Sequence, residues 1–202
     1  MKYLIITIGV LLLFFSMRPS KIDKEPLTSG DTILALGDSL TYGFGAKAEE
    51  SYPSVLAKMT GYRVINAGFN GETSDEIRRR LPALLEHYRP RVTILCAGGN
   101  DILQKKSMDA LKANLEAMIT TIKASGSDVL LVAVPHVTLF GLNTLPLYEE
   151  VAEQTDTPLL EGVLADILEQ PGLKSDYIHP NAKGYRQMAE AVREKLHTLY
   201  ND

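Results

Sequence analysis

The chain alternates between short runs that are apolar throughout and longer stretches in which apolar residues recur every three or four positions. Ile33-Leu34-Ala35-Leu36, Val92 to Ala97 and Val129 to Val134 are the short runs, each bounded by turn residues. Apolar runs of that length without alternation read as strands buried on both faces of a sheet. Arg63 to Asn66 gives a further strand, and Thr157 to Leu160 a fifth at an edge, where its proline is tolerated. Helical patterns lie between them. Ser51 as N-cap and Pro53 in the first turn open one that Gly61 ends. Ile77, Leu81, Leu84 and Leu85 share one side of the next, which Thr73 or Ser74 caps. Pro82 inside it predicts a kink or two abutting helices. Further helices are expected over 108–124, 147–155, 161–169 and 182–199. Strand and helix in alternation mean an α/β fold, a parallel sheet with helices on both faces. The turns that follow the strands then gather on one rim, where such sheets place a ligand crevice.

Composition narrows this picture. The 202 residues, 45% hydrophobic and 23% charged, suit a single globular domain. A formal charge of -4 and the lack of any basic stretch exclude nucleic acid as a partner. Cys96 is the sole cysteine, so neither an intramolecular disulfide nor a cysteine metal cluster can form. The first residues differ from the rest. Lys2 precedes an apolar run from Tyr3 to Phe15, and Ser16 to Ser20 are more polar. Residues 1–20 read as an export signal or an uncleaved membrane anchor, although no Ala-x-Ala site and no lipobox cysteine follow. Residues 21–30 read as a linker and 31–202 as the domain. The expectation is an exported protein, periplasmic or held at a membrane by its N-terminal segment.

The candidate chemistry follows the first strand, at Gly37-Asp38-Ser39-Leu40-Thr41-Tyr42-Gly43. A serine at the end of a buried strand is placed to be a nucleophile, and a cap of the next helix is the alternative. A nucleophilic serine needs a base, and the base needs a group to orient it. His87 lies near a helix C-terminus and His197 in the last helix, which leaves His136 and His179 as competitors. Asp176 stands three residues before His179, a spacing that brings a carboxylate to the imidazole in a tight turn. Alone, the pair reads as a turn with Asn181 capping the last helix; with Ser39 it reads as a triad. Gly71 in a loop before a helix and Asn100 after Gly98-Gly99 are candidate oxyanion donors, with ordinary turn roles as the alternative. There is no Gly-x-Ser-x-Gly elbow, because Thr41 takes its last position, and no phosphate-binding Gly-Lys loop. Val137, Leu139, Phe140, Leu142, Leu145 and Leu147 form an apolar loop that either lines the crevice or packs against the last helices.

Gly37-Asp38-Ser39-Leu40, Gly71 within Asn70-Gly71-Glu72-Thr73, Gly99-Asn100-Asp101 and Asp176-x-x-His179-Pro180 resemble, in order and spacing, the four blocks of the SGNH (GDSL-type) hydrolases. The resemblance is close to the bacterial arylesterase and thioesterase I/lysophospholipase group. The resemblance implies a flavodoxin-like α/β/α domain with a five-stranded parallel sheet in the order 2-1-3-4-5. It implies Ser39 as nucleophile, His179 as base and acid, and Asp176 as its orienting group. The oxyanion hole would be the Ser39 and Gly71 N–H groups with the Asn100 side chain. The implied activity is hydrolysis of a small-molecule carboxylic ester through an acyl-enzyme, with no cofactor or metal. An acetylesterase acting on envelope carbohydrate and a non-catalytic acyl- or sugar-binding protein are the alternatives.

Overall fold

The computed structural model describes residues 25–139 and 141–201. The expected export segment, residues 1–20, lies outside the described residues. Leu27 packs against the core, and Arg91 donates to the carbonyl of Pro26 at 3.0 Å.

The first apolar run forms β1 (Thr32–Gly37), whose Ile33 to Leu36 are fully buried. It ends because Gly37 is the last residue that fits: a Cβ there would overlap the Cys96 carbonyl and the Thr41 side chain. The chain turns at Asp38 into the short α1 (Ser39–Tyr42), then runs through α2 (Tyr52–Thr60) to β2 (Arg63–Gly68). The helix α3 (Ser74–Tyr88) leads to β3 (Val92–Cys96), α4 (Gly99–Leu103), α5 (Met108–Ala124) and β4 (Asp128–Val132). Two short strands follow, β5 (Pro135–Thr138) and β6 (Gly141–Thr144), then α6 (Leu147–Thr155), β7 (Leu159–Leu160), α7 (Val163–Glu169) and α8 (Ala182–Asn201).

The main sheet is parallel throughout and ordered β2-β1-β3-β4-β7. Because β5 and β6 form their own antiparallel pair, β7 is its fifth strand, and the 2-1-3-4-5 order holds. β1 and β3 are centre strands, paired on both sides, which is why their sequences are apolar without alternation. β2 is an edge, and the exposed Arg63 and Asn66 keep it from pairing further. Helix faces cover the sheet with Leu56, Ile77, Leu81, Leu111, Leu115, Met118, Ile122, Met188 and Val192, all buried.

Local departures have identifiable causes. α3 runs unbroken through Pro82 rather than as two helices, because Pro82 faces solvent, where a missing N–H and a slight bend are tolerated. The Ser51 hydroxyl does not cap α2; it donates to Ala48 O at 2.8 Å and sits within 3.0 Å of Ser54 Oγ. α7 begins at Val163, two residues later than expected, after Gly162 at φ +76°. The apolar loop is not a loop throughout: Pro135–Thr138 and Gly141–Thr144 pair as the antiparallel β5 and β6, and Leu147 starts α6; Phe140 lies outside the described residues.

Candidate active site

The C-terminal ends of β1, β2, β3 and β4 and the loop before α8 meet on one rim. Asp38 caps α1 with Oδ1 accepting from Leu40 N at 3.0 Å, which fixes the turn presenting Ser39. Across the rim, the 174–181 turn is closed by Ser175 N donating to His179 O at 2.9 Å and Asn181 N to Leu173 O at 2.8 Å. Asn181 Oδ1 then accepts from Lys183 N and Gly184 N and caps α8, so both roles expected of this stretch coexist.

The turn brings Asp176 Oδ2 to 2.8 Å from His179 Nδ1, and His179 Nε2 to 3.0 Å from Ser39 Oγ. A ring proton on Nδ1, facing the carboxylate, leaves Nε2 as acceptor for the serine hydroxyl. Asp176 Oδ1 also accepts from the Ile178 and His179 N–H groups at 2.8 Å each. Partial burial works against its charge, but those N–H bonds and the imidazole outweigh it, and its carboxyl is held below the usual range. Asp176 is therefore ionised at neutral pH, as an orienting group must be. The Phe44 ring lies 4.6 Å from the imidazole, centroid to centroid. Tyr185 Oη donates to Phe44 O at 2.8 Å and ties that stretch to α8.

His136 is not the partner of Ser39. Its Nδ1 lies 3.1 Å from Asn143 O, across the hairpin, although the residue lines the same cavity. His87 meets the Tyr88 ring edge-on at the end of α3, and His197 is on the exposed side of α8.

Of the donors expected for an oxyanion, Asn100 lines the same cavity as Ser39. Asn100 Nδ2 donates to Glu72 O at 2.9 Å, and Glu72 follows Gly71. Asp38 Oδ2 lies 3.5 Å from the same nitrogen, too far for a strong bond. Gly71 has φ +82° and open space where a side chain would stand. Among the described residues, neither the Ser39 nor the Gly71 N–H donates to a protein acceptor.

Residues that sequence reasoning did not single out hold this arrangement in place. Asp101, buried, accepts from Ser74 N at 2.8 Å and Ser74 Oγ at 2.7 Å, binding α4 to the start of α3. Arg80 donates through Nε to both carboxylate oxygens of Glu72, at 3.0 and 2.8 Å, and through Nη2 to Gly37 O and Ala67 O, at 3.1 and 2.8 Å. It therefore joins the ends of β1 and β2 to the Gly71 loop. The sequence holds a signal for it only as an arginine one turn beyond Glu76 on α3.

Ser39, Asn100 and His179 open onto a cavity of about 290 Å³. Ile102, Leu103, Val134, Val137, Leu142, Leu168 and Ile178 make most of its wall. The apolar stretch 137–147 is thus divided. Val137 and Leu142 line the cavity, Leu145 and Leu147 pack on the core, and Leu139, 96% exposed, does neither. Among the described residues no group of His, Cys, Asp or Glu could hold a metal ion. A hydrogen-bonded serine, imidazole and carboxylate at this cavity, with the Asn100 amide on its wall, is an arrangement able to transfer an acyl group.

Comparison with known proteins agrees with this geometry. A model of the GDSL-like lipase/acylhydrolase family matches residues 35–187. Thioesterase 1/protease 1/lysophospholipase L1 of Escherichia coli is 29% identical over 180 residues, 86% of either chain. Esterase TesA of Pseudomonas aeruginosa is 30% identical over 181 residues, 85% of this chain and 90% of its own. The crystal structure of the psychrotrophic esterase EstA from Pseudoalteromonas sp., inhibited by monoethylphosphonate, superposes with a TM-score of 0.71 at 29% identity, over 83% of this chain and 99% of that one.

Proposed function

We propose, for a chain that belongs to the GDSL-like lipase/acylhydrolase family and is an ester hydrolase, that Ser39 is its nucleophile and that its substrates are carboxylic esters with an apolar acyl or aryl group. The observation that carries this is the hydrogen-bonded run from Ser39 Oγ through His179 to Asp176 at the mouth of an apolar cavity. His179 Nε2 takes the hydroxyl proton as Ser39 Oγ attacks the ester carbonyl. The Ser39 and Gly71 N–H groups and Asn100 Nδ2 receive the developing oxyanion. The alcohol departs with the proton from Nε2, leaving an acyl group on Ser39. Water, deprotonated by the same nitrogen, releases the acid and restores the serine. Asp176 stays ionised and stabilises the imidazolium. The relatives named for thioesterase, lysophospholipase and esterase activity support an acyl ester as substrate.

The test is hydrolysis of p-nitrophenyl esters from acetyl to decanoyl, with Ser39→Ala as control, together with labelling by a fluorophosphonate. The expected result is turnover and labelling in the native chain and neither in the variant. Turnover that survives Ser39→Ala would remove Ser39 as nucleophile. An unlabelled, inactive but folded native chain would favour a binding protein on the same fold.

Export rests on the sequence of residues 1–20 alone. The expected outcome of cell fractionation is recovery with periplasmic or membrane markers; recovery of the intact chain with cytosolic markers would overturn it.

A further inference from the structure

The β5–β6 hairpin stands outside the main sheet, and one wall of the cavity is built on it through Val137 and Leu142, which are register partners. A two-stranded hairpin has little stability of its own in water. What holds this one against the body of the protein is therefore decisive for the shape of that wall. Two bonds do so. Glu169 Oε1, at the end of α7, accepts from Leu142 N at 2.8 Å, and Thr144 Oγ1 accepts from Gly162 N at 3.2 Å. The first falls on the residue that faces the cavity. It is made possible by Gly141, at φ +116°, where a Cβ would overlap the Glu169 carboxylate. Leu168, the neighbour of Glu169 on α7, also lines the cavity. The carboxylate of one residue and the side chain of its neighbour thus bear on the same cavity.

We propose that Glu169 is a positioning residue that sets the acyl-chain preference of the enzyme, by clamping the β5–β6 hairpin so that Leu142 closes the cavity against Leu168. This rests on the assignment of the cavity to the acyl group. Glu169 is not among the residues lining the cavity, and its bond is to Leu142 N, so its effect is confined to chains long enough to reach Leu142. An acetyl group stays near Ser39 and does not sense the clamp. An octanoyl or decanoyl chain gains binding from each methylene placed against a fixed wall and loses it against a wall that moves.

The experiment compares the full chain with Glu169→Ala and Glu169→Gln on p-nitrophenyl acetate, butyrate, octanoate and decanoate, with kcat and KM determined separately. Glu169 is exposed and on a helix end, so both variants are expected to fold, as circular dichroism will check. For Glu169→Ala, kcat/KM on octanoate and decanoate is expected to fall about tenfold, through KM, with acetate changed less than twofold. Glu169→Gln, whose carbonyl oxygen still accepts from Leu142 N, is expected to restore the native length profile. An unchanged profile in Glu169→Ala, or an equal fall on acetate and decanoate, would overturn the proposal. Failure of the native chain to hydrolyse any of the four esters would instead overturn the assignment of function.

Discussion

In the proposed mechanism Asn100 is the side-chain donor to the oxyanion. Its amide nitrogen is held by Glu72 O at 2.9 Å, with Asp38 Oδ2 at 3.5 Å. Asn100→Ala is expected to lower kcat by about 10²–10³ with KM little changed, read from steady-state kinetics on a p-nitrophenyl ester. Asp38, beside it, carries a different consequence. Burial, reinforced by the nearby Asp101 charge and opposed by the Leu40 N–H, pushes its carboxyl from 3.8 up to about 7. Between those two values the folded protein holds a proton that the unfolded chain has released. Stability therefore falls as pH rises through that window and levels off above about 7. The difference corresponds to roughly 4 kcal/mol. Urea unfolding at pH 5 and pH 8 should show Asp38→Asn, which can still accept from Leu40 N, losing less stability than the native chain over that step. Parallel losses would show that Asp38 does not titrate there. Ser39, Asp176 and His179 were legible in the sequence because each lies in a short motif whose spacing carries a geometry. Between His136 and His179 the residues alone left a choice, which the hairpin bond of His136 decides. Asp38 was legible only as a cap, because its burial depends on α2, β3 and α4 closing over it.

Among the elements, α3 positions the most. Its first turn is fixed twice, by Glu76 accepting from Thr73 N and Oγ1 at 2.8 Å and by Asp101 accepting from Ser74. One turn on, Arg80 gathers the strand ends and Glu72. Arg80→Lys keeps the charge but cannot supply the same fork of donors. It is expected to cost about 1–3 kcal/mol in denaturant unfolding, since two carbonyls and a carboxylate lose partners. It should also lower kcat by roughly tenfold or more, because the Gly71 N–H is no longer held in place. A variant with native kcat and reduced stability would confine Arg80 to a structural role. The helices of this protein were legible to within a residue or two wherever an apolar face repeated over three turns, as in α5. The hairpin was not. Its strands are four residues each, and Leu139 follows the first of them where hairpin turns favour Asn, Asp or Gly. A large apolar residue there reads as part of a loop. Pro82 misled for a related reason: sequence marks a proline but not whether its lost donor faces water.

At the scale of the molecule, the parallel sheet and its ligand rim were legible from the alternation of strands and helices, and the strand order from the resemblance to the SGNH hydrolases. What holds the rim together was not, since the Asp101 to Ser74 and Arg80 to Gly37 bonds join residues 27 and 43 positions apart. One further property concerns the whole chain. Cys96, its only thiol, is fully buried on the centre strand β3, opposite Gly37 and directly beneath the reactive rim, and burial pushes its ionisation well up. A disulfide reagent in solution can meet that sulfur only when β3 is laid open. The protein thus contains a single chemical clock for the exposure of its central strand. At low reagent concentration, the labelling rate divided by that of the unfolded chain gives the fraction of molecules open at any instant, with no denaturant present. That fraction is expected to match the one extrapolated from urea unfolding. Labelling faster than this would mean that β3 is uncovered by partial openings while the rest of the sheet stays closed.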